Sequence, residues 1–229
     1  MNDTALNLGP FVINASIVTT WGIMLLLLTG SKLLSFKLTQ SDNHWRTLAE
    51  TIYVMIENAV KEVVPTQHHL VTPFIATLWI FLTVANLVGL IPGLHSPTGD
   101  LSVTAALAVI VFCTVHWLGV RQHGLKNYLK HYLSPSPILL PFHLISEFTR
   151  TLALAIRLFG NIMSLEMAAF LVLIVAGFLV PVPLLMLHIV EALIQAYIFG
   201  VLALLYIGAA LESNQELSSI HDHPTQEKP

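Results

Sequence analysis

Residues 138–179 read ILLPFHLISEFTRTLALAIRLFGNIMSLEMAAFLVLIVAGFL, and this stretch decides what kind of molecule the chain can be. It runs for 42 residues with a proline only at Pro141, near its start, and ionisable side chains are thinly spread along it. At a rise of 1.5 Å per residue, one helix of this length would be roughly 63 Å long, about twice the ~30 Å hydrocarbon core of a bilayer. Two readings follow: a pair of helices turning at Gly160-Asn161, or a single helix lying strongly aslant.

The rest of the 229 residues agrees that the solvent is lipid. Hydrophobic residues make up 55% of the chain and charged residues 10%, and mean hydropathy is +0.76. A soluble domain carries about a quarter charged residues. With 10 Lys and Arg against 13 Asp and Glu, the net charge of −3 excludes a strongly basic nucleic-acid binder. The single cysteine, Cys113, lies in an apolar run and can form no intramolecular disulfide and no CxxC metal or redox site.

Working outward, 11–34 predicts a transmembrane helix, since only a helix satisfies its own backbone in lipid. It does not read as a cleavable signal peptide, because Asp3 precedes it and no Lys or Arg does. Residues 44–64 differ in kind: Ile52, Met55, Ile56, Ala59 and Val63 recur at helical spacing opposite Glu50, Glu57, Lys61 and Glu62, predicting an amphipathic interfacial helix. Segments 73–90 and 101–120 predict a transmembrane hairpin across an uncharged turn, and 183–211 predicts a second long helix beside 138–179. The fold class expected is therefore an all-α polytopic membrane protein, a single membrane domain of about five embedded helices, with 212–229 a polar tail.

Positive charge sets the expected orientation. Lys32, Lys37, Arg46 and Lys61 share one connection, Arg121, Lys126 and Lys130 another, and Lys228 the tail, whereas 1–10, 91–100 and 177–183 have no Lys or Arg. Five crossings then place the amino terminus outside and the carboxyl terminus in the cytoplasm. A hairpin inside 138–179 would put the uncharged 180–183 turn on the basic side, so charge favours one slanted helix.

Ionisable side chains inside such helices cost about 2.5–3.5 kcal/mol each on insertion scales, which makes each a functional-site candidate. Glu147, Arg150, Arg157, Glu166 and Glu191 qualify, with His143 and His188 beside them. Arg150, Ala153, Arg157, Gly160, Ser164 and Ala168 recur at spacings of three and four, so Arg157 stands among small residues that let another helix approach. Arg157 is permanently charged and has no carboxylate at i±3 or i±4. Glu166, nine residues on, faces another wall. His188, Glu191 and Gln195 share a face with Ala192, Ala196 and Gly200 alongside, a plausible wet lining in which an imidazole exchanges protons near neutral pH. Arg150 fits either an interfacial cation that snorkels or a path residue. Asn86, Asp100 and Ser146 fit either a channel entrance or packing. The histidines elsewhere read as loop or interfacial residues, and no metal cluster is expected.

The string Leu154-Ala155-Ile156-Arg157-Leu158-Phe159-Gly160-Asn161, followed by Glu166, His188 and Gln195-Ala196-Tyr197-Ile198-Phe199, closely resembles subunit a of the rotary F-type ATP synthases. Asn86-Leu87-Val88-Gly89-Leu90-Ile91-Pro92 and Pro97-Thr98-Gly99-Asp100-Leu101-Ser102-Val103-Thr104 match as well, so the resemblance spans roughly 72–213. It implies a stator subunit beside a ring of c subunits, with two offset half-channels that couple proton or sodium movement to rotation. It further implies peripheral-stalk b subunits and the catalytic sector as partners, a bacterial inner membrane as location, and no cofactor in this chain. Arg157 matches the essential arginine, Asn161 and Gln195 its polar neighbours, Glu166 and His188 the outer half-channel, Arg150 a basic position before the arginine, and Glu147 an acid of the inner half-channel. In the family the long helices lie nearly horizontal along the ring, which favours the single slanted helix. Departures are Glu147, about one helical turn nearer the arginine than in some members, Thr151 where many have proline, Ser164-Leu165 in place of a small pair, and the additional acid Glu191.

Two other classes compete. A secondary transporter would show internal repeats, and none relates the halves of this chain. A haem-binding anchor needs mid-span histidines on adjacent helices, and of the two candidates, His116 and His188, the first lies near a helix end. No P-loop or other nucleotide signature is present, so ATP chemistry belongs elsewhere in any complex.

Overall fold

The structure, a computed structural model, describes residues 4–8, 11–40, 44–91, 96–124, 140–176 and 181–222. Among the described residues six α-helices follow a short hairpin: α1 Ala15–Gln40, α2 His44–Val63, α3 His68–Val88, α4 Leu101–His123, α5 Leu140–Ala176 and α6 Pro181–Asp222, with a 3-10 turn at Pro97–Gly99 before α4. Five helices are long and apolar enough to cross a membrane, over Ser16–Leu33, His68–Val88, Leu101–Arg121, Pro141–Val172 and Leu185–Leu211. The chain is an all-α polytopic membrane protein apart from that hairpin.

The hairpin corrects the amino-terminal boundary. Strand β1, Thr4–Leu8, pairs antiparallel with β2, Phe11–Asn14, in the register Leu6 to Ile13, Asn7 to Val12 and Leu8 to Phe11. Phe11-Val12-Ile13 is aromatic and β-branched, and Gly9-Pro10 before it is a strong chain punctuator. Four residues assigned to the first span, three of them apolar, therefore pair in a strand, and α1 starts at Ala15.

Other boundaries also move. Helix α3 begins one turn before Pro73, because a proline near a helix start keeps helical φ and removes one hydrogen bond. Helix α5 is unbroken through Gly160 and Asn161 for 37 residues, about 56 Å. The two-helix reading of this stretch is thus replaced by one long helix. Helix α6 continues past Leu211 to Asp222, where the sequence suggested a tail. Polar residues end the apolar run at Leu211, but 212–222 contains no Gly or Pro to end a helix. The Pro92-Gly93 turn, the basic stretch beyond Gly124 and the Pro135-Ser136-Pro137 break lie outside the described residues.

Helices α3 and α6 form the spine. Val71, Ile75, Leu78, Leu82 and Ala85 on α3 are buried at alternating spacings of four and three, a heptad seam. Opposite them α6 buries Ala192, Ala196, Phe199, Ala203 and Ile207. Inside lipid the apolar effect gives little net drive for helices to associate, so close packing of small residues must supply it. Trp79 shows this: its indole lies on Gly200, where a Cβ would overlap it, donates from Nε1 to the Tyr197 carbonyl at 3.2 Å, and stacks on the Tyr197 ring at 5.8 Å.

Helix α4 packs on α5 through Leu107, Ala108, Val111 and Val115 against Leu154, Leu158 and Ile162. It is capped by Asp100 Oδ1, which accepts from Ser102 N and Oγ at 2.9 Å, and it ends at Gly124, whose φ of 76° suits glycine. Helix α2 lies on α3 and α6 through Ile56, Val60 and Val64. The amphipathic helix is present, but Leu48, Ile52 and Met55 are exposed on it.

Candidate functional site

The ionisable residues gather where α5 and α6 meet each other and the turn before α4. The faces of α5 divide cleanly. Leu154, Leu158, Ile162 and Leu165 turn inward, and Ala153, Arg157, Gly160 and Ser164 are exposed. At Gly160 nothing lies within 4 Å of where a Cβ would stand. Arg157 thus projects from an open strip of small residues, and among the described residues no carboxylate pairs with it.

One turn on, Asn161 Nδ2 donates to Gln195 Oε1 of α6 at 2.6 Å. This amide bridge joins the two long helices one turn of α5 beyond Arg157. Gln195 is only 2% exposed, and its Nε2 has no hydrogen-bond partner among the described residues. His188, two turns earlier on the same face, is 4% exposed with Nε2 likewise unpartnered. Buried polar groups without partners are rare and costly, so these two atoms mark a polar strip of α6 in which the Gln195 amide nitrogen has hydrogens left to donate. Glu191, half-buried between them, makes no ion pair with a described residue.

Glu166 is held by the turn rather than by His188. Its Oε1 accepts from Ser96 N at 3.3 Å, and its carboxylate sits against Gly89 and Gly99. Towards the other end of α5, Arg150 Nη1 lies 3.6 Å from Glu147 Oε1, and its guanidinium stands 4.9 Å over the Tyr206 ring of α6. Thr151 Oγ1 donates to the Glu147 carbonyl.

The structure therefore separates the candidates into three groups along the α5–α6 seam: Glu147 and Arg150 with Tyr206, Arg157 with Asn161 and Gln195, and Glu166 with the turn. Asp100 is a helix cap, Ser146 is exposed, and Asn86 is fully buried and bonded. The small residues divide too, with Ala192, Ala196 and Gly200 filled by α3 and Ala153, Gly160 and Ser164 open. Tyr206, Trp79, Ser96 and Thr98 were not singled out as site residues from the sequence. For Thr98 the quoted Pro97-Thr98-Gly99-Asp100 string was the available signal, with Ser96 just before it, whereas Tyr206 and Trp79 look like ordinary apolar-face aromatics.

Comparison with known proteins settles the family. The model of the family described as ATP synthase A chain matches residues 17–208. The chain belongs to the ATP synthase A chain family. It is 60% identical over 211 residues to ATP synthase subunit a 1 of Hahella chejuensis, covering 92% of this chain and 90% of that one. It is 56% identical over 219 residues to ATP synthase subunit a 2 of Pelobacter propionicus, covering 96% of both. Against ATP synthase subunit a of Legionella pneumophila strain Paris it is 53% identical over 216 residues, covering 92% of each. The matched region of this A chain protein takes in α2 to α5 whole, most of α6 and every residue of the three groups.

Proposed function

We propose that this chain is the stator subunit a of a bacterial F-type ATP synthase and that its α5–α6 seam carries two ion half-channels separated by Arg157. The observation that carries this is the open face of α5. A permanent cation in the middle of an apolar helix, exposed among Ala153, Gly160 and Ser164 and unpaired among the described residues, needs a carboxylate brought by a second chain. A ring of c subunits, each presenting one carboxylate in lipid, meets that need.

In this mechanism an ion enters from the outer side past Glu166, His188 and Glu191 and neutralises a ring carboxylate. Neutral, that carboxylate can turn away through lipid. After a near-complete rotation it releases the ion toward Glu147 and Arg150 on the cytoplasmic side. The emptied carboxylate then meets Arg157, whose charge holds it and repels a cation taking the direct route. The Asn161–Gln195 bridge fixes the spacing of the helices at that barrier. One charge crossing 100 mV releases about 2.3 kcal/mol, so several ions per turn are required for ATP formation and a leak would dissipate all of them. The coupling ion is a proton or sodium, the amino terminus lies outside, and the exposed face of α2 meets the peripheral stalk that links this subunit to the catalytic sector.

Cross-linking tests the orientation of the open face. With Cys113 replaced, single cysteines at Ala153 and Ser164 are expected to cross-link to the ring subunit in the assembled complex, and cysteines at Ala155 and Ala196 are not. Equal yields from both pairs would refute the assignment of this face.

A further inference from the structure

We infer that Asn86 is a positioning residue that holds a three-sided socket around the Glu166 carboxylate; the inference rests on the reading of Glu166 as part of the ion path. The socket is built from the end of α3 and the turn before α4. Gly89 lies on one side, with 3.5 Å between its would-be Cβ and Glu166 Oε1. Gly99 lies on another, at 3.2 Å to Oε2 and 3.4 Å to Oε1. Ser96 N donates to Oε1 from the third, at 3.3 Å. Neither glycine is required for a positive φ. Their lack of a side chain is used for space, since a methyl at Gly99 would press directly on the carboxylate.

The turn that carries two of these walls is tied to α6 through the Asn86 amide. Asn86 Nδ2 donates to the Ala192 carbonyl of α6 at 3.1 Å, and Asn86 Oδ1 accepts from Thr98 Oγ1 at 2.7 Å. Ser96 Oγ lies 2.6 Å from Thr98 Oγ1 and 3.0 Å from the Ala85 carbonyl; with the Thr98 hydrogen given to Asn86, the single Ser96 hydrogen is shared between these two acceptors. Asn86 and Thr98 are fully buried and Ser96 is 2% exposed. The result is a continuous run of hydrogen bonds from the α6 backbone, one turn from His188, through Asn86, Thr98 and Ser96 to Glu166. Buried networks of this kind fix geometry because each member has nowhere else to bond. Asn86 thus sets the distance between the wall of the turn and the α6 strip that carries His188 and Glu191.

The test uses inverted membrane vesicles holding the whole complex, whose lumen corresponds to the outer side. ATP synthesis is driven by an imposed gradient at a series of lumenal pH and sodium values, and assembled complex is quantified in each preparation. Thr98→Val, which removes the hydroxyl with little change of shape, is expected to lower synthesis severalfold and to displace the profile against the coupling ion by at least about half a log unit, in the way that a repositioned titrating group shifts its midpoint. Gly99→Ala should displace the same profile, and Thr98→Ser should restore it. A wild-type profile in both Thr98→Val and Gly99→Ala, or a loss of rate that only tracks lost complex, would overturn the inference. Glu166→Gln in the same series separates the two levels. If it moves the profile while the turn variants do not, the positioning role of Asn86 fails alone, and if it leaves the profile unmoved, the underlying reading of Glu166 fails.

Discussion

At the scale of single residues, partnering distinguishes the polar groups better than charge does. Asp100 is accounted for by the α4 amino terminus, and Asn86 by Ala192 and Thr98. His188 Nε2 and Gln195 Nε2 are buried without partners among the described residues. Gln195→Leu fits the same space but strips Asn161 of its acceptor. It should destabilise the purified complex by about 1–3 kcal/mol, read as a lower thermal midpoint, and reduce coupled transport more than Asn161→Leu/Gln195→Leu together do, because the double change leaves no orphaned donor. Away from the membrane-spanning helices, Glu57 accepts a hydrogen bond from Lys61 at 2.9 Å, which holds its carboxyl below the ordinary value of 4.5. A depressed carboxyl contributes stability above its ordinary value and loses it as pH falls through the depressed one. Lys61→Met should therefore return the Glu57 titration toward 4.5, followed by the resonance of labelled glutamate. An unmoved midpoint would mean that Lys61 is not its cause.

At the scale of elements, much was legible because lipid imposes simple rules. The apolar runs located all five spans, and charge bias favoured one long helix where length alone allowed two. What could not be read has identifiable physical causes. Phe11-Val12-Ile13 is as apolar as the span it adjoins, so composition could not separate a strand from a helix start. Polarity marks where a membrane ends and not where a helix ends, so α6 runs on beyond Leu211. At the site, Arg157 was found because it has no local partner, whereas the socket around Glu166 depends on hydroxyls of a turn 70 residues away, to which periodicity is blind. The α3–α6 seam carries its own prediction. Gly200→Val drives a side chain into the Trp79 indole and should destabilise the complex by about 1–3 kcal/mol, the range for overpacking. Adding Trp79→Ala should recover part of that loss, seen in assembled yield and thermal midpoint. Additive losses would show that the two residues do not share one contact.

For the whole molecule, the arrangement is an α3–α6 spine with α4 and α5 laid against it, and the exposed side of α5 includes the small-residue strip around Arg157. Three polar groups are spaced along that seam, and among the described residues only the middle one holds a permanent charge with no ion pair. A leak-proof coupling device needs this layout: polar access on each side and a fixed positive charge between them. The most direct measurement is ATP-driven ion uptake into vesicles carrying the whole complex, wild type against Arg157→Ala, followed with proton and sodium indicators and with passive leak recorded. Arg157→Ala is expected to abolish coupled uptake and raise passive leak of the ion that the wild type pumps. Normal pumping by Arg157→Ala, with no added leak, would contradict the role of Arg157 as the barrier between the half-channels.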